Sequence, residues 1–579
     1  MLEFKYMPKE TAKNGKDYSQ LSKDELVKII EKLESRKKYG LIWDEEKVKE
    51  QFEKDAENAL PVLKEISSKE ITDKDPSKPV NILIEGDNYH ALSVLNFTHQ
   101  GKIDLIYIDP PYNTGAKDWK YNNDYVDSND GFRHSKWVSF MNKRLRLARN
   151  LLKDDGTLIC AIDDYELNTL GLLLDEILPG HDKSLIVVEH HPQGAGSITV
   201  SRTHEYAYVC TPKDIGIKGR TVNTEESRWP LKRSGQGENN WRKNRFRQFF
   251  AILVDTTSST VVGVGPEIPR DQKKYPTSKT PEGYIRIYPI DKNGEERVWR
   301  YNRETMQRLI GAEAIEYTKN GALLVKKFGD IEEPIFSVWK GPRYNAGTNG
   351  SNLLSQIMGK VNAFPYPKSL YAVLDMIAMI VKGKKDAIIL DFFAGSGTTG
   401  HAVMELNKDD GGRRSFILCT NNENNICEDV TLERIKRVIK GYKNRAEDQI
   451  MGLGGSLKYF KTKFIKKNSN GDDFKTRITN ECTEMLCLRE GVFNEIKTTN
   501  HYRIFQQGNK TLAVYYSLDR KSLLVLKKEL EKIDGEKILY CFTLDATGLS
   551  KTEFANWHGV KLEPIPQKIL DVYKQIYEY

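Results

Sequence analysis

Short apolar runs alternate along this chain with longer stretches in which apolar positions recur every three or four residues. The runs over 80–84, 103–108, 157–162, 387–391 and 416–420 read as strands. Those at 103–108 and 387–391 are apolar enough to read as parallel strands buried on both faces, since a strand with one wet face alternates apolar and polar positions. Helical spacing lies between them. It predicts helices ending near Phe97, over about 134–152 with a stop at Asp154-Asp155-Gly156, and before Pro179-Gly180, then over about 369–382 and from Thr398. Ser22 followed by Glu25 is a capping-box signal for a helix over roughly 24–37. Strand and helix in this rhythm predict an α/β protein with a doubly wound parallel sheet.

The rhythm breaks twice. Residues about 215–350 are rich in Gly, Asn, Thr, Arg and Trp and show short strand-like pieces without a long helix, the mark of an inserted domain. Beyond about 450, strands near 511–517 and 537–543, a helix near 520–533 and a last helix from Pro566 predict a separate small α+β domain. The expected organisation is a helical region at 1–66, two halves of one core at 67–214 and 356–450, the insert at 215–355 and the tail at 451–579. A chain of 579 residues accommodates two to four domains.

Composition adds three limits. The net charge of +8 is mild for this length, so where the charge sits says more than its total. Seven scattered cysteines read as free thiols in a reducing compartment, without a metal site. No run of about 18 apolar residues and no signal-peptide pattern occurs, so a soluble cytoplasmic protein with no membrane contact is expected.

Two loops carry chemistry. Asp109-Pro110-Pro111-Tyr112 follows the strand at 103–108, and Asp391-Phe392-Phe393-Ala394-Gly395-Ser396-Gly397-Thr398-Thr399 follows the strand at 387–391. Taken singly, the first could be a strand-ending turn and the second an ordinary glycine turn. Their joint presence at strand ends points to a site. Glycine allows a tight bend and close approach of a ligand, and the helix N-terminus behind it offers free N–H groups to a carboxylate. No Gly-Lys-Ser/Thr follows, so this is not a phosphate-binding loop. Glu423, just past the next strand, stands where an acidic residue holds ribose hydroxyls in dinucleotide folds. In the other loop, the Asp109 carboxylate and the Pro110 carbonyl can accept the two N–H bonds of an exocyclic amine, while Tyr112 offers a stacking face.

These segments resemble the amino-group DNA methyltransferases, in the permuted arrangement where the catalytic loop precedes the cofactor loop. The resemblance is closest to the modification subunits of type III restriction-modification systems. It is carried also by Gly86-Asp87-Asn88, Trp137 with Arg144, Ile162-Asp163-Asp164, His204-Glu205-Tyr206 and Phe364-Pro365-Tyr366-Pro367-Lys368-Ser369, with a fainter match at Lys38-Tyr39-Gly40-Leu41-Ile42-Trp43. The resemblance implies a Rossmann-like core that binds S-adenosylmethionine. Asp87 would meet its adenine, Glu423 its ribose, and Phe393, Gly395 and Gly397 its methionine part, with Lys368, Asp109, Asp391, Ala394, Ser396 and Thr398 around them. Asp109, Pro110, Pro111 and Tyr112 would be catalytic. Asp before Pro-Pro-Tyr is the adenine-type pattern, so N6 of adenine is favoured over N4 of cytosine.

Between Lys218 and Phe250 stand nine basic and three acidic residues, among them Arg228, Lys232, Arg233 and the run Trp241-Arg242-Lys243-Asn244-Arg245-Phe246-Arg247. Alone this could be a solvated basic face. Beside a base-methylating core it reads as the target-recognition surface for double-stranded DNA. The resemblance further implies a homodimer and a helicase–nuclease restriction partner. The alternatives are an N4-cytosine enzyme, or a recognition module whose main task is to load a nuclease.

Overall fold

The computed structural model describes residues 22–34, 43, 59–75, 77–121, 124–127, 129–194, 200–217, 220–223, 228–235, 237–326, 330–468, 470–545, 547–550 and 552–577. Most of the expected N-terminal region, including Lys38–Ile42, lies outside them, as does Lys218. Two compact units are present, residues 217–335 and the remainder.

The larger unit is built on a ten-stranded sheet. Its strands are β1 (Ala59–Glu65), β2 (Val80–Glu85), β3 (Ile103–Ile108), β4 (Leu152–Ile162), β5 (His181–Val188), β6 (Glu205–Pro212), β7 (Val338–Trp339), β8 (Ile388–Asp391), β9 (Ser415–Thr420) and β10 (Ser456–Lys466). They lie in the order β1-β10-β2-β9-β8-β3-β4-β6-β5-β7. The six from β10 to β4 are mutually parallel. This is the doubly wound α/β arrangement that the alternation predicts, with antiparallel pairs β1–β10, β4–β6 and β6–β5 flanking it.

Every residue of β3 is buried. Its one charged member, Asp104, is 2% exposed, so burial is tolerable only with partners. Both its oxygens accept from Lys153 Nζ at 2.8 Å, and Oδ2 also accepts from the backbone N–H of Ile388 at 3.0 Å. This carboxylate fastens the start of β8 to β3 across 284 positions of sequence. The helices α1 (Asn88–Thr98), α2 (Arg133–Arg149), α3 (Leu167–Ile177), α4 (Leu370–Val381), α5 (Thr398–Asp410) and α6 (Glu433–Lys440) complete the core. Asp87 caps α1 by accepting from Tyr89 N at 2.8 Å, and Gly411, in a left-handed conformation (φ 69°), closes α5.

The expected boundary at 450 falls one strand too early, because β10 is hydrogen-bonded between β1 and β2 inside the main sheet. The tail adds a five-stranded mixed sheet of its own, but Phe505, Leu512, Val514 and Tyr573 share one apolar cluster with Leu60, Leu92 and Leu95. The insert is narrower than 215–355. Residues 336–358 belong to the larger unit, where β7 pairs with β5. The smaller unit, taken alone, packs short sheets and the helix Arg303–Gly311 around Leu231, Phe250, Ile252, Trp299 and Met306. All seven cysteines are buried and unpaired. Among the described residues no helix is long and apolar enough to cross a membrane.

Asp104→Ala is expected to lower the unfolding free energy by about 2–3 kcal/mol, the cost of removing a buried charge-assisted network. Urea denaturation followed by circular dichroism measures it.

Candidate active site

Parallel pairing brings the two sequence loops together. Ile389 and Leu390 of β8 stand opposite Leu105 and Ile106 of β3. Asp391 is therefore level with Tyr107, two residues before Asp109. On the other side of β8, Leu418 of β9 pairs with Asp391, and Thr420 pairs with Glu85 at the end of β2. Asp87, Asp109, Asp391 and Glu423 thus follow the carboxyl ends of four adjacent strands, where open α/β sheets bind ligands.

Asp109 belongs to a cluster of partly buried charges. Lys368 Nζ lies 3.3 Å from Asp109 Oδ1 and donates to Glu205 Oε2 and to the Tyr112 hydroxyl. The Tyr112 hydroxyl donates to Glu205 Oε2 at 3.2 Å. Burial drives the Asp109 carboxyl up and the Lys368 ammonium pulls it back, with a net rise. Burial also pushes Glu205 up, but the positive charge of Lys368 outweighs it and leaves this carboxyl below its ordinary range. Lys368 is raised: its own burial works against the charge, and the two carboxylates more than offset it.

A second set of contacts fixes the backbone of the Pro-Pro-Tyr loop. The Trp137 indole donates to the Pro111 carbonyl at 2.7 Å. Asn113, fully buried, takes a left-handed conformation (φ 58°) that costs a non-glycine residue energy unless its surroundings enforce it. They do so here: its side-chain amide donates to Glu166 Oε1 at 2.5 Å, and the same oxygen lies 2.6 Å from His134 Nδ1.

The glycine loop is held from within. Asp391 accepts from Phe393 N at 2.9 Å and from the Thr399 hydroxyl at 2.5 Å. Burial pushes its carboxyl up to about 7, against these hydrogen bonds. Gly395 and Gly397 have φ of 48° and 77°. A Cβ on Gly395 would stand 3.3 Å from the Phe364 ring, and one on Gly397 would stand 3.3 Å from Thr431 Cγ2, so the chain passes close to its neighbours at both glycines. The pocket beside this loop is lined by Asp109, Lys368, Asp391, Phe393, Ala394, Gly395, Ser396 and Thr398.

The N6/N4 DNA methylase family matches residues 103–432. This chain belongs to that family. The chain is 30% identical over 390 residues to the type III restriction-modification enzyme EcoPI Mod subunit of Escherichia phage P1, covering 59% of this chain and 58% of that one. It is 33% identical over 353 residues to the type II methyltransferase M.KpnI of Klebsiella pneumoniae, covering 58% and 79%. With the StyLTI Mod subunit of Salmonella typhimurium it shares 28% over 415 residues, covering 62% and 57%. The match thus spans little more than half the length of these two Mod subunits.

The pocket gathers eight of the eleven residues expected around the cofactor. Asp87, Gly397 and Glu423 do not line it. Asp87 caps α1 and lies 3.4 Å from Arg144, whose guanidinium stacks on Phe140 with its centre 3.6 Å from the ring centroid. Phe140 in turn meets Phe393, centroids 5.9 Å apart. Glu423 is exposed in the short turn after β9. The pocket also takes in Phe364, Tyr366, Pro367 and Thr399, from segments that carry the resemblance, and Tyr107 and Val373, which the sequence reading gave no part. Tyr366 is 94% exposed with φ of 53°, an aromatic ring held at the rim in a strained conformation.

The basic insert needs a correction. Arg242, expected at the DNA, is 5% exposed. Its guanidinium is held by Glu296 (2.9 Å) and by the Pro269 and Gln272 carbonyls (both 2.8 Å), and lies over the Phe249 ring. It therefore holds its own unit together. Lys232 donates to the Ile290 carbonyl at 2.8 Å, Trp241 stacks against Arg297, and Arg228 pairs with Glu316 at 2.8 Å. Arg233 and Arg245 are half-buried, while Lys243 and Arg247 are exposed.

The raised Asp391 carboxyl makes stability depend on pH. The proton that the native state holds above the ordinary carboxylate range stabilises it fully below about pH 4, and this contribution is lost as pH rises through about 7. Asp391→Asn is expected to flatten that decline. Urea midpoints on both sides of the window, for wild type and variant, check it.

Proposed function

We propose that this chain transfers a methyl group from S-adenosylmethionine to N6 of an adenine turned out of double-stranded DNA, as the modification subunit of a type III-like restriction-modification system. The observation that carries this reading is the pocket shared by Asp109 and the glycine loop. The residues there fit the cofactor: close-packed glycines at a strand end, aromatic walls from Phe364 and Phe393, and carboxylates nearby suited to a cationic centre. The bound cofactor supplies an electrophilic methyl group on a sulfonium.

The chain's own residues do the rest by positioning and electrostatics. The Asp109 carboxylate accepts one N–H of the target amine and the Pro110 carbonyl the other, which withdraws the nitrogen lone pair from the base ring. Lys368 opposes the protonation of Asp109 that burial favours, keeping the carboxylate as acceptor. Because its carboxyl is nonetheless raised, Asp109 is a better home than a free carboxylate for the proton the amine gives up. Glu205 and Lys368 fix the Tyr112 hydroxyl, and so aim the ring on which the base stacks.

Kinship with Mod subunits supports a homodimer that works beside a helicase–nuclease subunit, with the unit at 217–335 reading the target. Adenine is preferred to cytosine on the Asp-Pro-Pro-Tyr pattern. In single-molecule sequencing of DNA from cells expressing this chain, N6-methyladenine at one short motif is expected, and Asp109→Ala is expected to reduce the rate by about 100-fold or more. N4-methylcytosine would overturn the base assignment, and no mark of either kind would overturn the enzyme reading. Lys243→Ala and Arg247→Ala are expected to weaken DNA binding and to lower the salt slope of log Kd by about 1 for each phosphate left without its cation. Filter binding across a salt series measures this, and an unchanged slope would remove these two residues from the interface.

A further inference from the structure

Glu166 is a fully buried carboxylate to which the chemistry above gives no task. It lies between β4, the strand paired in parallel with β3, and the first residue of α3. An acidic side chain in that position commonly accepts from the first N–H groups of the helix it precedes. Glu166 makes no such cap. Its Oε1 is turned to Asn113, and its Oε2 is buried without a hydrogen-bond partner among the described residues. A buried carboxylate satisfied on one oxygen is costly, and it is kept here against the loop that carries Asp109.

The contacts converge on the one strained residue of that loop. Asn113 Nδ2 donates to Glu166 Oε1 at 2.5 Å and to the Arg133 carbonyl at 3.4 Å. His134 Nδ1 lies 2.6 Å from the same Glu166 oxygen. Arg133 Nε donates to His134 Nε2 at 3.2 Å, so Nδ1 is the nitrogen that carries a proton to Glu166. The carboxylate is thus fixed by α2 and in turn fixes the Asn113 amide. Asn113 has φ of 58°. A residue with a Cβ leaves that region for negative φ once its surroundings cease to hold it.

What depends on Asn113 lies just upstream. The rings of Pro110 and Pro111 lock φ at both residues. The Pro111 carbonyl is held by Trp137, one helical turn beyond His134 on α2. Asp109, at the other end, directly follows β3. Few torsions remain free between these anchors, so the direction of the Pro110 carbonyl follows from how the Asn113 end is held. We propose that Glu166 is a positioning residue for methyl transfer: by keeping Asn113 left-handed it aims the Pro110 carbonyl at the second N–H of the target amine. This rests on the transfer reading above. Glu166 acts through Asn113 and does not itself line the pocket.

The test is steady-state methylation by the full chain, with tritiated S-adenosylmethionine and DNA from cells that lack this protein. Glu166→Ala is expected to lower kcat about 10- to 100-fold, the scale of a misplacement near 1 Å. KM for DNA and the affinity for S-adenosylhomocysteine are expected to stay as in wild type. Glu166→Gln, which keeps an oxygen for the Asn113 amide, is expected to retain most of the activity. The deciding chain is Glu166→Ala with Asn113→Gly. Glycine takes a left-handed φ unaided, so this double variant is expected to regain about 5- to 30-fold in kcat. If Glu166→Ala does not fold, Asn113→Ala and Asn113→Gly decide: both lose the amide, and the glycine chain is expected to be faster by about the same 5- to 30-fold. A glycine that restores nothing overturns the proposal, since a carboxylate that merely supports the core gives that result. So does a Glu166→Ala chain with wild-type kcat, or one whose affinity for S-adenosylhomocysteine falls along with its rate. A wild type that methylates no DNA sinks the transfer reading and this role with it.

Discussion

The site depends on the insertion of β8 between β9 and β3. Without that pairing, the Asp-Pro-Pro-Tyr and glycine loops are ends of unrelated strands separated by about 280 residues. With it, Asp391 stands level with Tyr107, and the side chains that must cooperate fall within one pocket. Asp104 reinforces the register at the far end of the same two strands by spanning β3, β4 and the first residue of β8. The geometry of the loops is thus inherited from backbone hydrogen bonds, the least adjustable contacts in the molecule.

Charge is arranged around this pocket so that little of it can be hydrated. Two carboxylates and one ammonium form the cluster of Asp109, Glu205 and Lys368, with a net charge of −1 that suits a cationic ligand. Asp391 escapes the cost of a third buried anion by holding its proton more tightly. A site already desolvated and already oriented has little to reorganise during reaction, which is where electrostatic catalysis gains most.

The sequence made the strands and both loops legible because each motif sits where an apolar run ends, and burial on both faces leaves a continuous apolar signature. It did not reveal which distant side chains would meet. Glu205 lay in a segment noted for its resemblance, but its contact with Lys368 spans 163 positions. Glu166 lies outside every motif, and only the fold discloses that it is buried against a loop. Arg242 misled in the other direction. A run of basic and aromatic residues looks the same whether its arginines face water or brace a core, and this one braces a core through Glu296 and two backbone carbonyls. The strand β10 was hidden because Ser456–Lys466 carries four lysines, which reads as surface.

The strand order also has a consequence for the birth of the protein. β2 and β3 are neighbours in sequence but have two strands between them in the sheet. A ribosome therefore delivers both flanks of a slot long before it delivers the strands that fill it. At ~5–20 residues per second, the interval between Asp109 and Asp391 is roughly 14–56 seconds. Throughout it, two central strands present unpaired edges, the kind of surface that invites pairing with other chains. The permuted order thus leaves the slot between β2 and β3 open in the nascent chain until β8 and β9 have been synthesised.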